Sequence, residues 1–254
     1  MENIGNWFKS LPVFTRYWFA LSIAFPLAGR FGLISPYYVI LNDLFIKNFQ
    51  IWRPVTALFY YPIGGGSGFH YLMNLYFLYN YSVRLETGVF NGRPADYCFM
   101  LLFNWVTITI ISYWCNIMLL MDPMILSVLY VWSQLNKDVI VTFWFGTQFK
   151  ALYLPWVLLG FNMILGGGGM FEIIGIIVGH LYYFMVFKYP ELYGGTALIQ
   201  TPSILYDYFP STPGRGGFSM QPPASSFNSA PQPQRTTTTF RGYDWGRGQA
   251  LGRN

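Results

Sequence analysis

Apolar residues dominate the chain from residue 17 to residue 187, and polar residues divide that stretch into six runs. The runs cover 17–34, 69–83, 95–114, 118–135, 152–165 and 171–187. About 20 helical residues cross a hydrocarbon core, so each run predicts a membrane-spanning helix. The second, fifth and sixth runs are only 14 to 17 residues long, which implies tilt, shielding by neighbours or a locally thinned bilayer. The connection 35–68 is long yet carries Tyr37, Tyr38, Leu41, Phe45, Phe49 and Trp52. It predicts amphipathic helix and turn lying in the interface. Gly64, Gly65 and Gly66 predict a flexible turn; no Lys-Ser/Thr follows on a strand-to-helix turn, so a phosphate loop is not indicated. Residues 138–149 alternate polar and aromatic side chains and predict an interfacial helix or a partly re-entrant piece. Beyond 190 the composition turns to Pro, Gly, Ser, Thr and Gln, which predicts a flexible tail. The expected organisation is an all-α membrane domain over 1–190 and a tail over 191–254.

Composition agrees with the pattern. Of 254 residues, 54% are hydrophobic, 21% aromatic and 10% charged, against about 25% charged in soluble domains. The first run is interrupted by Pro26 and Arg30 and follows a polar, amphipathic start; it reads as a retained span, not a cleaved signal. The net charge of +5 matters through its placement. With six spans, three of the 15 basic residues, Arg30, Lys47 and Arg53, fall on one side, and the rest fall on the side of both termini. Basic loops stay cytosolic, so both termini are expected there. Cys98 and Cys115 lie in or beside apolar stretches and read as buried thiols without a disulfide framework.

Three short motifs stand out. Trp52 and Arg53 sit together in the long loop. His70 and Asn74 are four apart and share one helical face. Gly175 and Gly179 form a small-xxx-small face that lets another helix approach closely. On six spans with an interfacial first loop, these resemble the rhomboid superfamily. Within it the chain resembles the Derlins over nearly its full length. The resemblance rests on Phe49-Gln-Ile-Trp-Arg-Pro54, Asn74-Leu-Tyr-Phe-Leu-Tyr79, Arg84-Leu-Glu-Thr-Gly88, Gly92-Arg-Pro-Ala-Asp96, Tyr130-Val-Trp-Ser-Gln-Leu-Asn136, Leu154-Pro-Trp-Val157 and Gly179-His-Leu-Tyr-Tyr183. The tail is most similar to the first Derlin paralogue type.

The resemblance implies a six-helix rhomboid-like fold and raises the question of chemistry. Rhomboid proteases place a serine in a Gly-x-Ser-Gly turn on span four and a histidine three residues before the small-residue motif of span six. Here span four begins Leu119-Leu120-Met121-Asp122-Pro123, and the residue three before Gly175 is Glu172. Ser127 and Ser133 lie deeper on span four, and His180 follows the small-residue motif. A serine nucleophile needs a base in reach and an oxyanion site, so the expectation is a pseudoprotease with no catalytic residue. With two histidines and no His/Glu/Cys spacing for zinc, neither a metal nor a cofactor is expected.

Polar residues in or near the spans then become informative: Arg30, Asn74, Asn80, Arg84, Glu86, Asn104 and Asn162. One reading is interhelical hydrogen bonding or headgroup snorkelling. The other is a laterally open, partly wet cavity for a polypeptide. Retrotranslocation of misfolded proteins from the endoplasmic reticulum is what the resemblance implies, with misfolded clients, an ER ubiquitin-ligase complex, membrane lipid and homo- or hetero-oligomers as partners.

The last residues, 240–252, read Phe-Arg-Gly-Tyr-Asp-Trp-Gly-Arg-Gly-Gln-Ala-Leu-Gly. Glycines permit an extended path along a partner, and Trp245 and Leu251 are the anchors. Trp245, Gly246, Gly248, Leu251 and Gly252 resemble the SHP box by which Derlins bind the AAA ATPase valosin-containing protein. A nucleic-acid tail is not expected, because so few arginines release few counterions. Two rival functions are an active intramembrane serine protease and a small-solute transporter. The latter calls for inverted repeats, and none is found.

Overall fold

In lipid a backbone must satisfy its own hydrogen bonds, so long apolar runs become helices. The structure is a computed structural model, and it describes residues 4–65, 67–143, 146–164, 169–194 and 197–211. A short α1 (Ile4–Ser10) turns at Pro12 into α2 (Val13–Arg30). Helix α2 starts four residues before the apolar run because a neighbour caps it. The carboxylate of Glu86 accepts the amides of Phe14 and Thr15 at 3.0 and 2.9 Å and the Thr15 hydroxyl at 2.8 Å. An acidic group there meets orphan amides and the positive end of the helix dipole. Thr15 continues the chain of contacts to Ser82 at 2.7 Å, and Ser82 to the hydroxyl of Tyr97 at 2.6 Å.

The first loop contains three short helices, α3 (Pro36–Val39), α4 (Leu44–Lys47) and α5 (Arg53–Phe59). Helix α6 (Gly68–Arg84) follows and ends in a π turn, Leu85–Val89. Then come α7 (Pro94–Trp114) and α8 (Met121–Leu135). Every residue of α8 from Met121 to Ser133 is buried, as expected of a helix apolar on all faces. Helices α5, α6 and α7 pack around it, as do α9 (Leu154–Ile164) and α10 (Met170–Tyr183).

Three expectations are revised. The described part of residues 138–149 is extended, where one expectation is an interfacial helix. Strands β1 (Ile140–Thr142) and β2 (Gln148–Lys150) pair antiparallel, with Val141 opposite Phe149. The run Val139-Ile-Val-Thr142 is β-branched throughout and favours extended backbone. The sixth run is not short: α10 continues through a π segment (Phe184–Lys188) and α11 (Tyr189–Tyr193), 24 residues in all. And the chain does not leave the helical body at 190. Helix α12 (Ser203–Tyr208) returns to the start of α7, where the hydroxyls of Thr201 and Tyr206 each donate to Asp96 at 2.6 Å. Burial, then the Asp96 carboxylate, pushes the Tyr206 hydroxyl above the ordinary phenol range.

The outer surface is apolar. Leu102, Val106 and Ile110 expose one stripe of α7, and Ile173, Ile177 and Leu181 one stripe of α10. Contiguous exposed apolar faces mark a surface that water does not cover. Helices Pro94–Trp114 and Met170–Tyr193 are long and apolar enough to cross a bilayer, and the chain is a membrane protein. Both cysteines are free; Cys115 is exposed, not buried as expected, because it lies just past the end of α7.

Candidate functional site

The site is set by how closely α10 approaches α8. A Cβ on Gly175 would lie 2.7 Å from the carbonyl oxygen of Pro123 and 2.9 Å from Cβ of Leu126. One turn on, a Cβ on Gly179 would lie 2.7 Å from the Ser127 carbonyl and 2.9 Å from Cβ of Tyr130. Only glycine permits this backbone approach. The contact fixes what stands just before it on each helix: Asp122 on α8 and Glu172 on α10.

Both carboxyl groups line one small pocket with Asn74 of α6 and Asn162 of α9. Asp122 is 8% exposed and Glu172 3%. The amide of Asn74 donates to Asp122 Oδ1, and that of Asn162 donates to Glu172 Oε1 at 2.5 Å. The remaining wall is apolar, from Met73, Phe77, Ile125, Leu126, Leu129 and Leu158. Buried carboxylates are kept by donors, and each acid here has a carboxamide donor from another helix. Two oxygens are left over, since Glu172 Oε2 and Asn162 Oδ1 are buried without a hydrogen-bond partner.

His70 and Asn74 occupy one face of α6, and the Asn74 amide lies 3.5 Å from His70 Nδ1. The same ring nitrogen meets the Tyr61 hydroxyl at 2.7 Å. A chain of polar contacts therefore leads from the end of the first loop to Asp122. Trp52 and Arg53 lie elsewhere, within the loop. Trp52 is half exposed, whereas Arg53 is fully buried. Nη1 of Arg53 donates to the carbonyls of Tyr37 at 2.7 Å and Ile40 at 3.0 Å, and Nε donates to Gln50. The Tyr37 ring lies 5.5 Å from the guanidinium. Arg53 thus closes the loop on itself. The loop in turn holds the start of α8, through Leu120 N to Ala57 O at 3.2 Å and Leu41 N to Met118 O at 3.0 Å.

The remaining polar residues separate by role. Glu86 is a helix cap. Arg84 stacks over Tyr81 and Trp132, with ring centroids 5.9 and 5.3 Å away. Asn80 binds its own helix through Tyr76 O, and Arg30 is exposed at the end of α2. Asn104 is fully buried with both amide atoms unpaired. Ser127 donates to Met124 O at 2.8 Å, and His180 Nδ1 meets the Tyr130 hydroxyl at 2.8 Å. The serine and the histidine are therefore each engaged with another group. The tail residues Trp245, Gly246, Gly248, Leu251 and Gly252 lie outside the described residues.

The sequence marks Asn74 and Asn162 as polar residues of a possible cavity, but it does not mark Asp122, Glu172 or Tyr61 as site residues. A signal was present for the acids. Glu172 is one turn before Gly175, and Asp122 is next to Pro123, the residue that Gly175 touches.

Comparison with known proteins agrees with this architecture. A model of the Der1-like family matches residues 11–203. The chain is 56% identical to Derlin-1 of Homo sapiens over 257 aligned residues, covering 99% of each chain. It is 51% identical to Derlin-1 of Caenorhabditis elegans over 84% of this chain and 86% of the relative. It is also 42% identical to Derlin-1 of Drosophila melanogaster over 99% of this chain and 100% of the relative. The chain belongs to the Der1-like family, among the Derlins of the first paralogue type.

Proposed function

We propose that this protein is a catalytically inactive rhomboid-like component of ER-associated degradation. It spans the endoplasmic reticulum membrane six times with both termini in the cytosol. There it moves misfolded proteins toward the cytosol and recruits the AAA ATPase valosin-containing protein through residues 240–252. A ubiquitin-ligase complex and further Derlin copies are its membrane partners. The observation that carries the reading is the pocket beside Gly175: its polar lining is Asp122 of α8, Glu172 of α10 and two asparagines, and Glu172 stands three residues before Gly175, where a rhomboid protease has its histidine. Among the described residues, no serine with a histidine base beside it lines this pocket. With no chemistry in the membrane to drive transport, the force comes from the ATPase.

Replacing Leu251 and Gly252 together with alanine is expected to lower capture of the ATPase by about tenfold or more, as loss of a buried anchor does, while membrane insertion is unchanged. Co-purification at the wild-type level would rule out docking through this segment.

A further inference from the structure

We propose that the pocket between α6, α8, α9 and α10 receives the ammonium group of a single lysine carried in an otherwise apolar segment of a client polypeptide. This rests on the reading of the protein as a handler of polypeptides within the membrane. The pocket-lining polar atoms that lack any partner are both acceptors. Glu172 Oε2 and Asn162 Oδ1 have no partner, although their side chains are only 3% and 7% exposed. The amides of Asn74 and Asn162 are already committed to Asp122 and Glu172. Unmet acceptors in an apolar wall call for a donor, and two carboxyl groups call for a positive one.

Size and shape select the class of donor. The cavity is about 20 Å³, a space suited to one water-sized group such as an ammonium head. An ammonium carries three N–H donors, and oxygens of Glu172, Asn162 and Asp122 face the same space. Met73 and Leu158 give the same space an apolar wall, which suits the methylenes next to the ammonium once the helices part to admit a lysine stem. A hard divalent cation takes six or more oxygens, and among the described residues no three His, Cys, Asp or Glu side chains are gathered for a metal. A lysine at the centre of a bilayer is costly for its own chain. A site that accepts it therefore distinguishes such a segment from an ordinary membrane helix.

The test uses the full-length protein in phosphatidylcholine nanodiscs and synthetic Leu/Ala membrane peptides of about 21 residues. One peptide carries a central lysine, one an acetyl-lysine and one a leucine, and binding is read by fluorescence energy transfer. The lysine peptide is expected to bind about tenfold more tightly than the other two. In the double variant Asp122→Asn, Glu172→Gln the three should bind alike. Equal binding of the lysine and acetyl-lysine peptides to the wild type overturns the proposal and requires no variant to fold. So does a lysine preference that persists in a double variant of wild-type melting temperature. Loss of the preference when phosphatidylethanolamine replaces phosphatidylcholine would assign the pocket to a lipid amine and also overturn it. Degradation of a client without intramembrane lysine is scored separately in cells, so the pocket and the transport function can fail independently.

Discussion

Replacing Gly175 with leucine is expected to lower the melting temperature of the purified protein by roughly 6–12 °C and to stop client degradation, given an overpacking cost of about 3 kcal/mol. The cost is set by backbone, not by a side chain that can swing aside. The first added carbon already lies 2.7 Å from the Pro123 carbonyl oxygen. The three further carbons have no room unless α10 separates from α8. Separation also carries Glu172 away from its partner Asn162, which sits on a different helix. In a membrane, helices associate through close packing and not through exclusion of water, so a wider interface gains nothing in return. Replacing Gly160 with alanine is the control. A Cβ there meets nothing within 4 Å, and alanine favours a helix over glycine by about 1 kcal/mol. Melting of the two variants in the same detergent checks the claim. A Gly175→Leu protein as stable as the Gly160→Ala protein would show that α8 and α10 do not meet as described.

Arg53→Ala is the second large effect, a loss of about 3 kcal/mol or more from two charge-assisted hydrogen bonds. Its guanidinium bridges Tyr37 O and Ile40 O across a turn of the loop, buried completely. Alanine leaves both carbonyls unpaired and opens a cavity under the Tyr37 ring. Arg53→Lys should restore only part of the loss, because one ammonium cannot reproduce a planar fork. The change should also speed proteolysis within residues 35–52, since the loop closes through this side chain. The same loop holds Leu120 at the start of α8, so loosening it moves Asp122 as well. An Arg53→Ala protein with unchanged melting and unchanged cleavage would remove Arg53 from this role.

The helices were legible because apolar length alone demands them, and α2, α6, α7, α8, α9 and α10 fall on the six runs. Three features were not. The hairpin at Ile140–Lys150 is a short element whose alternation of polar and aromatic residues fits either a strand or an interfacial helix. Its β-branched run carried the deciding signal. Helix α12 docks through Asp96, more than a hundred residues earlier in the chain; no local pattern reveals such a contact. Glu86 reads either as an interhelical hydrogen-bonding group or as part of a wet cavity; that it caps α2 rests on backbone amides 71 and 72 residues away, which no local pattern reveals. The acid pocket lies between these extremes. Gly175 and Gly179 announced a close helix contact, and Glu172 was recognised as standing in place of a histidine. Which helix the glycines touch, and hence that Glu172 meets the pocket of Asp122, depends on the packing of four helices.

In the proposed role the protein moves its clients without cutting them. This is tested most directly by the length of a misfolded membrane client recovered from cells that express this protein as their sole Derlin, with the proteasome blocked. Full-length client is expected to accumulate in the cytosolic fraction, equally with wild type and with Ser127→Ala or His180→Ala. A shortened, membrane-released fragment that forms with the wild type and disappears with either variant would contradict that role.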